Sequence, residues 1–107
     1  MGIQSVRILG RSYKVVTLKR MKDAGQCDYV AAKIKVKAEQ DEHERKDAVV
    51  HEIFHGILYQ QGREYGGEVE ETYVRALATG FIAVLQDNPE FAAWLGSHIQ
   101  DNEATSP

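Results

Sequence analysis

A chain of 107 residues fits one domain, residues 1–107, and folding at this size removes roughly two-thirds of the unfolded surface from water, enough for a real core. Apolar residues at 43% and charged residues at 27% are ordinary for a globular protein and exclude disordered and fibrous classes. Thirteen Lys and Arg against sixteen Asp and Glu give a net charge of −3, which offers no general electrostatic reason to bind nucleic acid or anionic lipid.

The start "MGIQSVRILGRS" lacks the apolar core of a signal peptide, and no apolar run approaches the ~20 residues needed to span a bilayer. The single cysteine, Cys27, cannot form an internal disulfide, which agrees with a reducing cytoplasm. The expectation is a cytoplasmic protein with neither nucleic-acid nor membrane partners.

Residues 6–18, "VRILGRSYKVVTL", are rich in β-branched and aromatic types and are broken by Gly-Arg-Ser, which predicts two strands around a turn. After the polar "KRMKDAGQ", residues 27–37 alternate again, as one strand or a hairpin bent at Ala31-Ala32. Lys33, Lys35 and Lys37 alternate with Ile34 and Val36 and read as the solvated face of a strand. The first third is therefore expected to be a small antiparallel sheet.

The pattern changes at Asp41, which forms a capping-box signature with Glu44 ahead of a helix over about 41–61; Gly62 suits its C-terminal cap. A second helix opens at "EVEETYVRALATGFIAVLQD", where positions 74, 77, 78, 81, 84 and 85 make a wide apolar stripe, predicting that the helix is largely buried. Asn88-Pro89 signals an N-cap and first-turn proline for a third helix, with Phe91, Trp94 and Leu95 anchoring it on the core. The tail 100–107 is polar and expected to fray.

The chemistry lies in "AVVHEIFHGILYQ", residues 48–60. On an α-helix His51 and His55 stand about 40° apart around the axis and ~6 Å apart along it, so both imidazoles can reach one ion. Zinc takes nitrogen, sulfur or carboxylate ligands, and a catalytic zinc keeps three protein ligands and an open position. Glu52 sits one step around the helix, where it can accept a proton from a water acidified by the metal. These polar residues interrupt an apolar run, and burying them without partners would cost several kcal/mol; a metal would satisfy both histidines.

The second helix supplies candidates for a third ligand. Glu71 is sixteen residues beyond His55 and shares a face with Val74 and Ala78, so it should point inward. Glu70 shares that face through Val74 and Leu77 and competes for the role, while Glu68 fits a first-turn acid at the helix dipole. Tyr59, Arg63, Tyr65, Tyr73 and Arg75 are near enough to be considered for stabilising a transition state. Cys27 reads as a small buried apolar residue, and His43 and His98 as solvated.

These residues resemble the small zincin-like metallopeptidases of the ImmA/IrrE kind, especially short phage and prophage forms. "GQCDYVAAKIKV" looks like the glycine-led strand pair before their metal helix, "RKDAVVHEIFHGIL" like that helix, and "EETYVRALATGFIAVLQDNPEF" like the helix that follows. The resemblance implies a minimal α+β zincin-like fold, a small antiparallel sheet followed by three helices with the His-Glu-x-x-His helix central. It implies a gluzincin-like site: His51, His55 and Glu71 as ligands to Zn2+ and Glu52 as general base. The second helix reads Ala78-Thr79-Gly80 where longer relatives have Ala-Asn followed by an aromatic residue, and no helix-turn-helix module accompanies it.

The expected function is a zinc-dependent peptidase hydrolysing peptide bonds in a peptide or protein substrate, which would lie along an edge strand of the sheet. The rival is a non-catalytic, zinc-stabilised module that binds a phage or host protein. An open coordination position separates the two.

Overall fold

In a computed structural model, which describes residues 3–98, the chain forms four strands and then three helices. Strands β1 (Ser5–Ile8) and β2 (Arg11–Leu18) make an antiparallel hairpin with Ile8 opposite Arg11. Leu9 and Gly10 are its two loop residues, both at positive φ, as a two-residue turn that follows the strand twist requires. The turn thus lies one residue earlier than Gly-Arg-Ser suggests.

β3 (Gly25–Asp28) and β4 (Lys33–Lys37) form the second hairpin, closed by the Ala31 N–H donating to Asp28 Oδ1 and by a left-handed Ala32. The sheet order is β1-β2-β4-β3, with β4 parallel to β2. The sheet is therefore mixed, which corrects the antiparallel expectation. The physical reason lies in the strands themselves: Ile34 and Val36 are wholly buried and demand an interior place, whereas short, polar β3 tolerates an edge. Residues 19–24 are enough chain to step across the ~10 Å that two strand spacings require.

Helix α1 (Glu42–Gln60) lies on this sheet. Its start is a complete capping box: Asp41 Oδ1 accepts from the Glu44 N–H, and Glu44 Oε1 accepts from the Asp41 N–H. At its end the Gly62 N–H donates to Tyr59 O and the Arg63 N–H to Leu58 O, the paired bonds of a cap in which Gly62 takes the left-handed conformation. Ala48 and Val49 pack on Ile8, Tyr13, Ile34 and Val36 to form the core. Tyr13 is fully buried, and its hydroxyl donates to Gln60 Oε1 at 2.9 Å, which removes the penalty of an unpaired buried group. Gly56 lets α1 close on β1, since a Cβ there would stand 2.8 Å from Ile8 Cδ1.

Helix α2 (Gly67–Asp87) packs on α1 through Val74, Ala78 and Ile82, one narrow stripe. The rest of its apolar face is open: Tyr73 is 67% exposed and Leu77 60%, and Phe81 and Val84 are also exposed. The expectation of a largely buried helix is corrected, because among the described residues only α1 and α3 touch it. Among the described residues helix α3 (Pro89–Gly96) packs on α2 alone, and Trp94 is 70% exposed, so it does not anchor the helix on the core. Pro89 opens α3 as expected, but the Asn88 side chain donates backward to Val84 O and closes α2 instead. The lysine face of β4 is partly solvated, with Lys35 paired to Asp28 at 3.6 Å. Residues 100–107 lie outside the described residues. No described helix is long and apolar enough to cross a membrane.

Candidate metal centre

The sheet sets the depth of α1, and α1 presents His51, Glu52 and His55 to a cleft of about 1110 Å³ walled by β3 on one side and the start of α2 on the other. The α1–α2 turn brings the first turns of α2 back against the two histidines. His55 Nε2 lies 3.2 Å from His51 Nε2 and 3.0 Å from Glu71 Oε1, and His51 Nε2 lies 3.0 Å from Glu71 Oε2. The structure thus brings His51, His55 and Glu71 together, and the three can hold a metal ion.

Ligand atoms about 2.1 Å from a tetrahedral zinc stand about 3.4 Å from one another; the two imidazole nitrogens stand 3.2 Å apart, and the Glu71 carboxylate spans them with one oxygen 3.0 Å from each. Two imidazole nitrogens and a carboxylate form a donor set that suits divalent first-row metals, zinc included. Arg75 donates from Nη2 to Glu71 Oε2 at 2.9 Å and so orients the carboxylate from its own helix, one turn on.

Glu70 takes a different part from the ligand role for which its spacing makes it a competitor. Its carboxylate is engaged by His55 and the α1–α2 turn, and the residue is 5% exposed. Oε1 accepts from the Tyr65 and Gly66 N–H groups at 2.8 and 2.9 Å, and Oε2 accepts from His55 Nδ1 at 2.5 Å. The Glu70 carboxylate holds a ring proton on Nδ1, so Nε2, which faces His51 and Glu71, is the nitrogen that would give up its proton to a metal. One buried carboxylate therefore ties the α1–α2 turn to the ring of His55. Burial acts to raise the Glu70 carboxyl, and the Gly66 N–H, His55 and the Tyr65 N–H outweigh it, holding it below the usual value. Glu71 is likewise held down, His51 and His55 overcoming its partial burial. Burial pulls His55 down, and its hydrogen bonds to Glu70 and Glu71 raise it above the usual imidazole value.

Glu52 is 7% exposed, and none of the influences on its carboxyl is a hydrogen bond. Burial pushes it up to about 7; His55 opposes the rise, and Glu71 and Asp23 add to it. Gly25 of β3 makes room for it, since a Cβ there would stand 3.2 Å from Glu52 Cγ and Oε2. The glycine that leads the strand pair thus has a steric task at the site.

Of the candidates for stabilising charge, Arg75 lines the cleft, while Tyr59, Arg63, Tyr65 and Tyr73 do not. Tyr29 does line it, stacked on Tyr59 with ring centroids 4.2 Å apart; its position after β3 carries no signal in spacing or composition. Cys27 also borders the cleft, but burial, with Glu52 and Asp28 adding, pushes its thiol up to about 12, and it is not part of the metal-holding group. Glu68, His43 and His98 are exposed and apart from the cleft. A scan against protein-family models finds no match to this chain, and a search of the curated proteins finds none either.

Proposed function

We propose that the protein is a zinc-dependent peptidase of the zincin-like, ImmA/IrrE kind, working in the cytoplasm and of phage or mobile-element type. The observation that carries the reading is the convergence of His51, His55 and Glu71, with the buried residue Glu52, its carboxyl free of hydrogen bonds among the described residues, on the same helix. When bound, a zinc ion supplies Lewis acidity, polarising a scissile carbonyl and acidifying water toward ~7.

The chain's own residues do the rest. Glu52, as carboxylate, takes one proton from the attacking water, whose oxygen bonds to the carbonyl carbon. As the C–N bond breaks, Glu52 passes that proton to the departing amine, leaving a carboxylic acid and an amine. Burial disfavours the charged carboxylate and so favours uptake of that proton, while a bound cation would favour its release. Edge strand β3, which borders the cleft, offers free backbone groups to an extended substrate. Arg75, exposed beside Glu71, is the nearest cationic side chain for developing oxyanion charge.

A second reading, a non-catalytic zinc-stabilised module binding a phage or host protein, is favoured by the open apolar face of α2 and α3, where Tyr73, Leu77 and Trp94 are exposed. Zinc content and cleavage of a mixed peptide library, measured on the wild type and Glu52→Gln, separate the two. The peptidase retains zinc in both proteins and cleaves only as wild type; the module retains zinc and cleaves nothing.

A further inference from the structure

We infer that the substrate of this cleft is a basic polypeptide segment, with lysines or arginines flanking the bond presented to the metal centre; the inference rests on the peptidase reading. Eight of the residues lining the cleft are Asp or Glu, and two are Lys or Arg. The whole sequence holds sixteen acidic and thirteen basic residues, so the remainder carries eight acidic and eleven basic. The acidic excess of the protein is concentrated at its cleft.

Three of the eight, Glu52, Glu70 and Glu71, belong to the metal centre itself. The other five, Asp23, Glu39, Glu44, Asp47 and Glu64, surround it from separate segments: the β2–β3 loop, the β4–α1 connection, the first half of α1 and the α1–α2 turn. None of the five is ion-paired with Lys or Arg among the described residues. The basic side chains facing them are Lys37 and Arg75, and Arg75 is paired with Glu71. A divalent ion would not offset the rim, because Glu71, Glu70 and an ionised Glu52 already balance its charge.

Glu52 supplies the second, independent observation. The residue is more than nine-tenths buried, has no hydrogen-bond partner on its carboxyl among the described residues and lines the same cleft, so the acidic wall surrounds the proposed reacting group rather than an idle surface. A concave wall of one sign focuses its field and raises the local concentration of opposite charge. Because the five carboxylates are spread over several segments, they suit charges spaced along a chain better than a single small cation.

The test uses Glu52→Gln protein incubated with zinc and three fluorescein-labelled dodecapeptides of one pattern, bearing lysine, serine or glutamate at alternate positions, read by anisotropy. The lysine peptide should bind about 10-fold tighter than the serine peptide, and the glutamate peptide more weakly than either, if each exposed charge contact is worth roughly 1.5- to 5-fold. The preference should shrink between about 20 mM and about 500 mM salt. Asp23, Glu39 and Glu64 are exposed, so Asp23→Asn/Glu39→Gln/Glu64→Gln should fold and lose most of the preference. Equal binding of the three peptides overturns the inference, as does a lysine preference that survives the triple substitution, which would mark diffuse attraction. The peptidase reading fails separately: a wild type that binds the lysine peptide through the rim yet cuts no peptide retires it, whereas cleavage indifferent to flanking charge retires only the inference.

Discussion

Replacing Glu70 by glutamine exchanges one carboxylate oxygen for an NH2 group and reverses one hydrogen bond. The amide oxygen still accepts from the Tyr65 and Gly66 N–H groups, so the α1–α2 turn keeps its tether. The amide nitrogen, where Oε2 now stands 2.5 Å from His55 Nδ1, donates to that ring nitrogen instead of accepting from it. The neutral imidazole then carries its proton on Nε2, on the side where His51 and Glu71 converge. A metal must displace the proton and break the new hydrogen bond, and loss of such a supporting partner weakens metal affinity about 10- to 100-fold, or ~1.4 to 2.7 kcal/mol. Competition with a chromophoric chelator measures the affinity, and 15N NMR of the metal-free protein reads the His55 tautomer directly. Unchanged affinity together with an unchanged tautomer refutes the assignment. Glu70→Ala is the contrasting variant: it orphans two backbone N–H groups at about 1–3 kcal/mol each and should lower the melting temperature, which Glu70→Gln should barely move.

Three further outcomes follow from the same geometry. Glu52 has a folded-state pKa raised from 4.5 to about 7, so the folded protein binds the extra proton between those values; its contribution is fully present below pH 4.5 and is lost as pH rises through 7. In metal-free protein that loss amounts to about 3 kcal/mol, and denaturant titrations across this window should show it in the wild type and not in Glu52→Gln. Gly25→Ala puts a methyl group 3.2 Å from Glu52 Cγ and Oε2; peptide cleavage should fall about 10-fold or more, since small misplacements of a reacting group are expensive, while zinc content by metal analysis stays the same. Tyr13→Phe removes the 2.9 Å bond to Gln60 inside the core and should lower unfolding free energy by about 1 kcal/mol in a urea titration, with no change in zinc content.

What the sequence makes legible is whatever a local rule decides. The capping box at Asp41 and Glu44, the Gly62 cap and the shared face of His51 and His55 depend only on residues within one or two turns, and each appears in the structure as expected. Helical phase places both Glu71 and Glu70 on the face of Val74, and the preference for Glu71 as ligand comes partly from the family resemblance. What Glu70 meets depends on the path of the turn at Tyr65 and Gly66, which periodicity does not encode. The parallel pairing of β2 and β4 is hidden for a related reason. Alternation shows which side chains face inward, but whether β3 or β4 lies beside β2 depends on which of them the core can bury on the interior of the sheet. The apolar stripe of α2 is present as read, yet a stripe states only that a face can be covered. α1 covers the part bearing Val74, Ala78 and Ile82 and leaves Tyr73 and Leu77 to solvent.

The centre itself is tested most directly by metal analysis of the purified protein beside Glu71→Gln and Glu52→Gln, with cleavage of a mixed peptide library scored on the same samples. The expected result is one zinc per chain in the wild type and in Glu52→Gln, much weaker zinc retention in Glu71→Gln, and cleavage by the wild type alone. A wild type that holds no zinc, or a Glu52→Gln protein that cleaves as fast as the wild type, contradicts it.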